Sequence, residues 1–308
     1  MLINQQFPPK PTWGIKDIPD LMGKVVLITG GNTGIGKESV KVLLQRNAKV
    51  YLAARNSTKA REAIDQLKEE TGKEAIFLEL DLASLEKVRL AAEEFLRKET
   101  RLDILINNGG VYMPPIEDLT EDGYDLTFGV NVIGHFYLTQ MLLPVLISTA
   151  QDSPEKHARI ITVSSNSHMF WGPEIRYDLL GSDPNRKKIG PFRLYAQSKY
   201  GNILVAKELA RRYADKGIVS ISVHPGTIGT EILRYSSPLM QKFTYWMQHP
   251  ISLGVLAQLF AATSPEARDL NGAYLVPWAR VCSPRKDVCD PNTAARLWDW
   301  LENQVKSK

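Results

Sequence analysis

Residues 25–36 read VVLITGGNTGIG, and this stretch decides the fold. Its first residues are apolar and β-branched and predict a buried strand, whereas its last residues open a stretch of helical periodicity. The glycines permit a tight turn, and the N-terminus of the helix that follows presents unpaired N–H groups and a partial positive charge. This unit is typical of a site for the pyrophosphate of a dinucleotide, although a plain glycine turn is an alternative.

Outward from this unit, short β-branched runs alternate with longer stretches of helical periodicity, the pattern of a parallel sheet with helices on both faces. Strands are predicted at residues 25–29, 50–54, 75–80, 104–107, 159–163, 219–223 and 273–276. Helices are predicted at residues 35–46, 57–70, 85–98, 126–146, 195–214 and 293–305. We therefore expect an α/β fold, a doubly wound Rossmann domain with a seven-stranded parallel sheet.

The alternation is not divided by a linker, a repeat or a low-complexity tract, so residues 23–308 are predicted to form a single domain. Two segments interrupt the rhythm, at residues 166–194 and 231–250. Ligands of such sheets bind outside the carboxyl ends of the strands. We therefore expect these two segments to form a small substrate lid.

The N-terminal lead-in, residues 1–22, contains prolines and is predicted to be a surface arm whose Phe7 and Trp13 pack on the domain. It lacks the apolar run of about 7 to 15 residues that a secretory signal requires. The apolar stretch at residues 251–262 is too short for the ~20 residues of a membrane-spanning helix. These features predict a soluble, cytoplasmic protein, with peripheral contact to a membrane left open.

Composition excludes several classes of protein. Hydrophobic residues make up 44% and charged residues 23% of the 308, which is an ordinary globular balance. The net charge of +4 comes from scattered Lys and Arg without a long basic run, so we expect no nucleic-acid partner. Cys282 and Cys289 are too few for a disulfide framework, and no cluster nearby completes a metal site, so no metal is expected.

The end of the second predicted strand indicates which dinucleotide is bound. Arg55 stands roughly twenty residues past the glycines, where an enzyme that prefers NAD would usually offer an acid to the ribose hydroxyls. A guanidinium matches phosphate geometry, so Arg55 predicts NADP(H) rather than NAD(H). Lys59 and Lys37 are candidate helpers. Each of the three also has a plainer interpretation as a solvated surface residue.

Further candidates for the dinucleotide site lie where the predicted strands end. Asp81 either accepts a hydrogen bond from the adenine amino group or caps the helix that begins nearby. The full set of candidate cofactor residues, besides Arg55 and Lys59, is Gly30, Asn32, Thr33, Gly34, Ile35, Gly36, Asp81, Leu82, Asn108, Gly109, Gly110, Tyr195, Lys199, Pro225, Gly226, Thr227, Ile228 and Thr230.

Tyr195 and Lys199 are four residues apart at the start of a predicted helix, so their side chains share one face. A phenol with a pKa near ~10 is a poor acid–base group at neutral pH, whereas an adjacent ammonium stabilises the phenolate. We therefore expect Lys199 to lower the pKa of Tyr195. The same spacing arises by chance in many helices, so it indicates a catalytic pair only if the surrounding motifs support one.

The order of the motifs supplies that context. It comprises the glycine turn, Asn107-Asn108-Gly109-Gly110, Asn131, Ser165, Tyr195 with Lys199, and Pro225-Gly226. From residue 22 to about residue 280, the chain thus resembles the classical short-chain dehydrogenases/reductases. Residues 30–37, 51–55 and 224–226 look like the retinol dehydrogenase and WW-domain oxidoreductase branch, and above all like its fungal relatives.

The resemblance implies a role for each matching residue. Tyr195 would donate or accept the proton, and Ser165 would hydrogen-bond the substrate oxygen, since strand alternation turns Ser164 the other way. Lys199 would also hold the nicotinamide ribose. Asn131 would anchor a water that connects Lys199 to solvent, or would simply be a polar residue in an apolar helix.

The thirty-residue gap between Ser165 and Tyr195 is longer than in the shortest members of the family, so an inserted loop is expected beside the entrance of the site. Such a loop could obstruct the family's usual assembly, which leaves a monomer or a homodimer open. Gly109 stands where the family usually has Ala, a small change that should leave activity intact.

The two interrupting segments suggest the substrate. They contain the apolar residues Met169, Phe170, Trp171, Ile175, Tyr177, Leu233, Tyr235, Leu239, Met240, Phe243, Tyr245, Trp246 and Met247. Such walls suit an apolar alcohol and its ketone or aldehyde, although the same side chains could cover the core or touch a membrane. His168 and His224 are expected to be hydrogen-bonded locally rather than catalytic.

The expected function is therefore an NADP(H)-dependent alcohol dehydrogenase or carbonyl reductase. Three other functions could use a dinucleotide-binding fold. A dinucleotide-binding regulatory protein that has lost turnover conflicts with the complete Ser165, Tyr195, Lys199 and Asn131 set. An extended epimerase or dehydratase would need a larger C-terminal domain, and a membrane-bound retinoid enzyme would need a hydrophobic anchor.

Overall fold

A sheet of eight strands forms the centre of the computed structural model, which describes residues 2–172, 174–229, 248–306 and 308. The strands are β1 (Val25–Thr29), β2 (Lys49–Ala54), β3 (Ile76–Glu79), β4 (Ile104–Asn107), β5 (Ala158–Val163), β6 (Ile218–Val223), β7 (Tyr274–Val276) and β8 (Arg280–Cys282). Their order is β3-β2-β1-β4-β5-β6-β7-β8. Strands β1 to β7 are parallel, and β8 pairs antiparallel with β7.

The sheet confirms the Rossmann-type α/β fold but corrects its strand count. Each of the seven predicted strands is present, with ends within one residue of the prediction. The expectation of seven strands, all parallel, was wrong because β8 was missed. With three residues, β8 is too short to show a period-two pattern, and its pairing with β7 depends on the turn at residues 277–279.

Helices connect the strands. They are α1 (Leu2–Gln6), α2 (Gly34–Gln45), α3 (Ser57–Thr71), α4 (Leu85–Lys98), α5 (Leu126–Phe128), α6 (His135–Asp152), α7 (Asn185–Ile189), α8 (Pro191–Tyr213), α9 (Ile251–Gly254), α10 (Leu256–Thr263) and α11 (Pro291–Val305). A π-helical turn, Gly129–Gly134, joins α5 to α6. Helix α8 begins four residues before its predicted start because proline is well accepted in a first turn.

The core lies on both faces of the sheet. Alternate residues of β1 enter different clusters, with Val25 and Leu27 on one face and Val26 and Ile28 on the other. Residues of α4, α6, α8 and α11 cover the first face, and residues of α2, α3 and α10 cover the second. Because β1 to β7 are parallel, their carboxyl ends meet at one edge, where the predicted site residues follow them.

The helical run through α5 and α6 belongs to this core. Residues 126–152 are long and apolar enough to cross a membrane by length and composition. Of their most apolar 18-residue window, however, 78% is buried within the protein. The apolar character of this run is therefore explained by packing against the sheet.

The arm and the lid differ in part from expectation. Trp13 packs edge-on against Phe260, with ring centroids 5.4 Å apart, whereas Phe7 is 65% exposed and does not pack as predicted. In the first predicted lid segment, 166–194, Trp171 and Leu179 are buried in the main core, so the described structure shows no lid there. Residues 230–247, which include most of the second segment, lie outside the described residues.

Candidate active site

The glycine-rich turn follows β1 at the carboxyl edge of the sheet. Gly30 has a φ of +65°, and a Cβ there would come within 2.9 Å of the Cα of Gly109. A Cβ at Gly36 would collide with the carbonyl oxygen of Gly30. Helix α2 begins at Gly34, and the side chain of Thr33 does not cap it, so its first N–H groups are available to an anion. The turn therefore fits a dinucleotide pyrophosphate.

A cleft of about 450 Å³ extends from this turn along the edge of the sheet. Its lining includes these predicted residues: Gly30, Asn32, Thr33, Gly34, Ile35, Gly36, Arg55, Asp81, Leu82, Asn108, Gly109, Gly110, Ser165, Tyr195, Lys199, Pro225, Gly226, Thr227 and Ile228. Lys59 stands exposed on α3 and Asn131 is buried behind the cleft, so neither lines it. Thr230 lies outside the described residues.

Two side chains at the outer end of the cleft bear on dinucleotide binding. Arg55 is exposed and makes no hydrogen bond or ion pair within the described part of the chain, so its guanidinium is available to a ligand. Asp81 accepts a hydrogen bond from the backbone N–H of Ala83 at 3.0 Å, whereas the N-cap of α4 is Ser84. Asp81 therefore stabilises the turn before α4 and still faces the cleft.

Tyr195 and Lys199 lie on one face of α8 at the inner end of the cleft, and both are buried. The Lys199 Nζ lies 5.7 Å from the centroid of the Tyr195 ring and donates a hydrogen bond to the carbonyl oxygen of Val163 at 2.9 Å. Burial lowers the pKa of Lys199 from its ordinary 10.5 to about 7. Near neutral pH this lysine can therefore hold or release a proton.

The pKa of Tyr195 differs from expectation. Burial raises it above its ordinary value, and a hydrogen bond with Ser165 opposes the rise only in part. We expected the ammonium of Lys199 to lower this pKa. In the protein without cofactor that expectation is wrong, because burial outweighs the other effects on the phenol and also reduces the charge on Lys199 itself.

The two serines at the end of β5 make different contacts. Ser164 Oγ donates to the backbone carbonyl of Lys199 at 2.7 Å and so ties β5 to α8. Ser165 Oγ accepts the backbone N–H of Ser167 at 3.1 Å and interacts with Tyr195. Ser165 is therefore the serine whose hydroxyl can reach a ligand together with the phenol.

Asn131 lies in the π-helical turn and fixes the loop after β4. Its side chain accepts the backbone N–H of Val111 at 2.9 Å and donates to the Val111 carbonyl at 3.1 Å and to Ser198 Oγ at 3.0 Å. A Cβ at Gly110 would lie 2.9 Å from Asn131 Oδ1 and 3.8 Å from Lys199 Nζ. These contacts show Asn131 as a link between the loop and α8, and its predicted water-anchoring role stays a prediction.

Three aromatic side chains, Tyr112, Phe170 and Phe192, line the cleft beside its inner end and form what we call the aromatic entrance. Phe170 and Phe192 are 51% and 38% exposed, and their ring centroids are 5.7 Å apart. Tyr112 packs edge-on against Tyr195 with centroids 4.6 Å apart. Of the predicted wall residues from the first interrupting segment, Phe170 lines the cleft, whereas Trp171 is among those that pack in the core.

Several residues of the site escaped the sequence analysis. Tyr112 directly follows the Asn-Asn-Gly-Gly turn, so its place after a strand end was a usable signal. Phe192 lies in the first turn of a helix whose start was predicted too late. His168 Nδ1 donates a hydrogen bond to the carbonyl oxygen of Ser165 at 2.7 Å, in agreement with the local role expected for this residue.

Comparisons with known proteins agree with the fold and the motifs. Residues 24–174 match the sequence profile of the short chain dehydrogenase family. A short-chain dehydrogenase/reductase of Armillaria gallica is 53% identical over 305 residues, which cover 99% of this chain and 97% of that protein.

Solved structures agree as well. An uncharacterized protein from Mycobacterium paratuberculosis has a TM-score of 0.73 and 29% identity, covering 96% of this chain and 97% of that one. The 3-ketoacyl-(acyl-carrier-protein) reductase from Brucella melitensis, solved with NADH, has a TM-score of 0.66 and 24% identity, covering 83% and 96%. At 24% identity, the similarity to the Brucella melitensis structure shows a shared fold only.

The doubly wound sheet, with a glycine-rich turn at its carboxyl edge, defines a Rossmann-type α/β oxidoreductase. Similarity to the fungal protein along almost the whole chain then establishes the family. The protein belongs to the short-chain dehydrogenases/reductases. The narrower resemblance to the retinol dehydrogenase and WW-domain oxidoreductase branch stays a prediction.

Proposed function

We propose that the protein interconverts an apolar alcohol and its ketone or aldehyde with NADP(H). One observation carries the proposal: Ser165, Tyr195 and Lys199 line the inner end of the same cleft whose outer end holds the glycine-rich turn. A ligand that fills the cleft from the turn inward would therefore end beside the three polar side chains. This is the juxtaposition that hydride transfer to a carbonyl requires.

Preference for NADP(H) rests on Arg55. Its guanidinium lines the cleft after β2 and has no partner in the described part of the chain, so it can pair with the 2′-phosphate of the adenosine ribose. No acidic side chain replaces it at that strand end, where the sequence continues with Asn56. The NADH found in the Brucella melitensis relative is a property of that protein.

The proposed chemistry assigns a task to each side chain. Bound NADPH would supply the hydride to the carbonyl carbon, and NADP⁺ would accept it in the reverse direction. The Ser165 hydroxyl hydrogen-bonds the substrate oxygen and holds it near the phenol of Tyr195. As the hydride arrives, the phenol transfers its proton to the developing alkoxide. A phenol with a raised pKa is protonated at neutral pH and is therefore in the form that reduction needs.

Lys199 completes the proton transfer. With a pKa of about 7, its ammonium can release a proton toward Tyr195, and the resulting amine can take up another at neutral pH. The buried position of both groups excludes bulk water, which strengthens the interactions between them. Asn131 keeps the loop at Val111 fixed beside α8, so the distance from this loop to Lys199 is maintained.

An apolar substrate is proposed from the aromatic entrance. Partly exposed Phe170 and Phe192 would bury their surfaces against an apolar substrate, and Tyr112 lines the same part of the cleft. The charged side chains in the described cleft lining are Arg55, Asp81 and Lys199, and the proposal assigns Arg55 to the 2′-phosphate and Lys199 to proton transfer. Cytoplasmic location and a monomeric or dimeric state stay predictions.

The decisive experiment follows NADPH consumption with a panel of apolar aldehydes and ketones. Tyr195→Phe is expected to lower kcat by roughly 100- to 10,000-fold, the usual value of a positioned acid, while NADPH binding stays within about twofold. Tyr200→Phe is the matched control, because Tyr200 lies on the same helix but hydrogen-bonds Asp287 at 3.2 Å. Full activity in Tyr195→Phe would overturn the assignment. Tight NADPH binding without turnover by the wild type would favour a cofactor-sensing protein.

A further inference from the structure

A buried histidine that the proposed chemistry does not use lies behind the cleft. His135, the first residue of α6, is 4% exposed. Its Nε2 lies 2.8 Å from Thr29 Oγ1 at the end of β1, and its Nδ1 lies 3.1 Å from the carbonyl oxygen of Asn131. The imidazole thus bridges the strand that precedes the glycine turn and the residue that fixes the Val111 loop.

The direction of these hydrogen bonds follows from the groups that already donate to Thr29. Thr29 Oγ1 accepts the backbone N–H groups of Asn108 at 3.0 Å and Gly109 at 2.8 Å. With its two lone pairs used, the hydroxyl must donate its own proton, and Nε2 at 2.8 Å is a closer acceptor than the carbonyl oxygen of Ile106 at 3.5 Å. Nδ1 then carries the imidazole proton and donates to the Asn131 carbonyl. Burial supports this neutral form because it lowers the pKa of His135 to about 4.

The bridge extends to both ends of the proposed reaction site. On the cofactor side, Thr29 holds the N–H groups of Asn108 and Gly109, and Gly109 lines the cleft. On the catalytic side, Asn131 donates to Ser198 Oγ, and this hydroxyl donates to the carbonyl of Tyr195 at 2.8 Å. A continuous series of hydrogen bonds therefore joins the backbone beside the glycine turn to the helix that carries the phenol.

We propose that His135 is a positioning residue that fixes the loop at residues 108–111 relative to Tyr195. The proposal rests on the proposed function insofar as this spacing serves hydride and proton transfer. The claim that His135 fixes the loop does not depend on finding a carbonyl substrate. In hydride transfer a shift of a fraction of an ångström between reacting groups lowers the rate, while binding of the cofactor changes little.

The test replaces His135 with Phe, which keeps a planar ring and removes both hydrogen bonds. Amide exchange at residues 108 and 109 is expected to become at least ~10-fold faster, since a buried hydrogen bond contributes about that factor to local stability. With an active substrate, kcat is expected to fall roughly 10-fold while KM and NADPH affinity change less than about twofold. His135→Gln keeps a donor and an acceptor. It is therefore expected to restore most of the protection from exchange at residues 108 and 109 and most of kcat.

A matched control separates positioning from general stability. Thr149→Val removes a buried hydrogen bond from the same helix, because Thr149 Oγ1 accepts the N–H of Leu102 at 2.9 Å far from the cleft. It is expected to lower the melting temperature without changing exchange at residues 108 and 109 or kcat. If His135→Phe does not fold, His135→Leu, which also removes both hydrogen bonds of the imidazole and leaves Thr29 in place, is measured instead.

Each outcome decides the proposal. Unchanged exchange at residues 108 and 109 in the variant that folds would overturn it, as would an equal effect of Thr149→Val. Faster exchange with unchanged kcat would overturn the link to Tyr195. A wild type without turnover on any carbonyl would refute the proposed function instead, and the exchange measurement would still decide whether His135 fixes the loop.

Discussion

Lys199→Met is expected to stabilise the cofactor-free protein at low pH and to destabilise it slightly at high pH. The buried lysine has a pKa of about 7 against an ordinary 10.5, a difference of about 3.5 pKa units or about 5 kcal/mol at ~1.36 kcal/mol per unit. Below pH ~7 the folded protein holds a buried ammonium and bears this whole cost. Between pH ~7 and ~10.5 the unfolded chain binds the extra proton, so stability of the wild type rises with pH.

Methionine removes this charge and keeps the length of the side chain. The lost hydrogen bond to the Val163 carbonyl costs about 1 kcal/mol, because Asn202 still donates to the same oxygen at 3.0 Å. At pH 6 the variant is therefore expected to be more stable than the wild type by about 4 kcal/mol. The advantage should disappear near pH ~10, where the remaining cost of the neutral buried lysine falls to about 1 kcal/mol and equals the loss of the hydrogen bond.

Urea unfolding followed by circular dichroism from pH 6 to pH 10, without cofactor, measures the difference. Lys286→Met is the control, because it removes the same cationic side chain from an exposed position. A difference between Lys199→Met and the wild type that is constant from pH 6 to pH 10 would refute the argument. The lysine would then be charged in the folded protein throughout.

Three further predictions concern the cleft. Arg55→Asp is expected to raise the KM for NADPH far more than for NADH, and equal changes in parallel kinetic assays would contradict the 2′-phosphate assignment. Gly110→Ala places a Cβ 2.9 Å from Asn131 Oδ1 and is expected to lower kcat about 10-fold; full activity would show that the loop yields freely. In a series of ketones of increasing chain length, kcat/KM is expected to rise, and replacing Phe170 and Phe192 with Ala should lower it about 10-fold for the longest. A preference for small charged carbonyls would oppose the apolar entrance.

Much of the fold could be predicted because it is specified by local patterns. Strands such as β1 and β5 are short, fully buried runs rich in β-branched residues, and a glycine-rich turn follows β1 while two serines follow β5. β8 was missed because its three residues owe their extended form to pairing with β7, a contact that no local pattern records. The sequence predicts a lid at residues 166–194, but part of this segment is buried, because apolar residues outside a regular periodicity do not reveal which surface they cover.

For the candidate site, the order of the motifs predicted which side chains lie together, but it did not predict their pKa values. That Ser165, Tyr195 and Lys199 share one cleft follows from strand ends and helix spacing. The pKa of Tyr195 depends instead on how deeply α8 is buried, which is a property of packing in three dimensions. Likewise, the contacts of Asn131 with Val111 join segments twenty residues apart, and their hydrogen bonds could not be inferred from composition.

The position of β1 between β2 and β4 also bears on how the chain folds. β1 to β3 can pair within the first eighty or so residues, but the hydroxyl of Thr29 finds its partners at Asn108 and His135 much later in the chain. The glycine turn can therefore form early, while the backbone it packs against, at Gly109, arrives only with β4, the first strand of the other half of the sheet. During refolding, recovery of cofactor affinity should report the joining of the two halves of the sheet, and it should lag behind the return of helical circular dichroism.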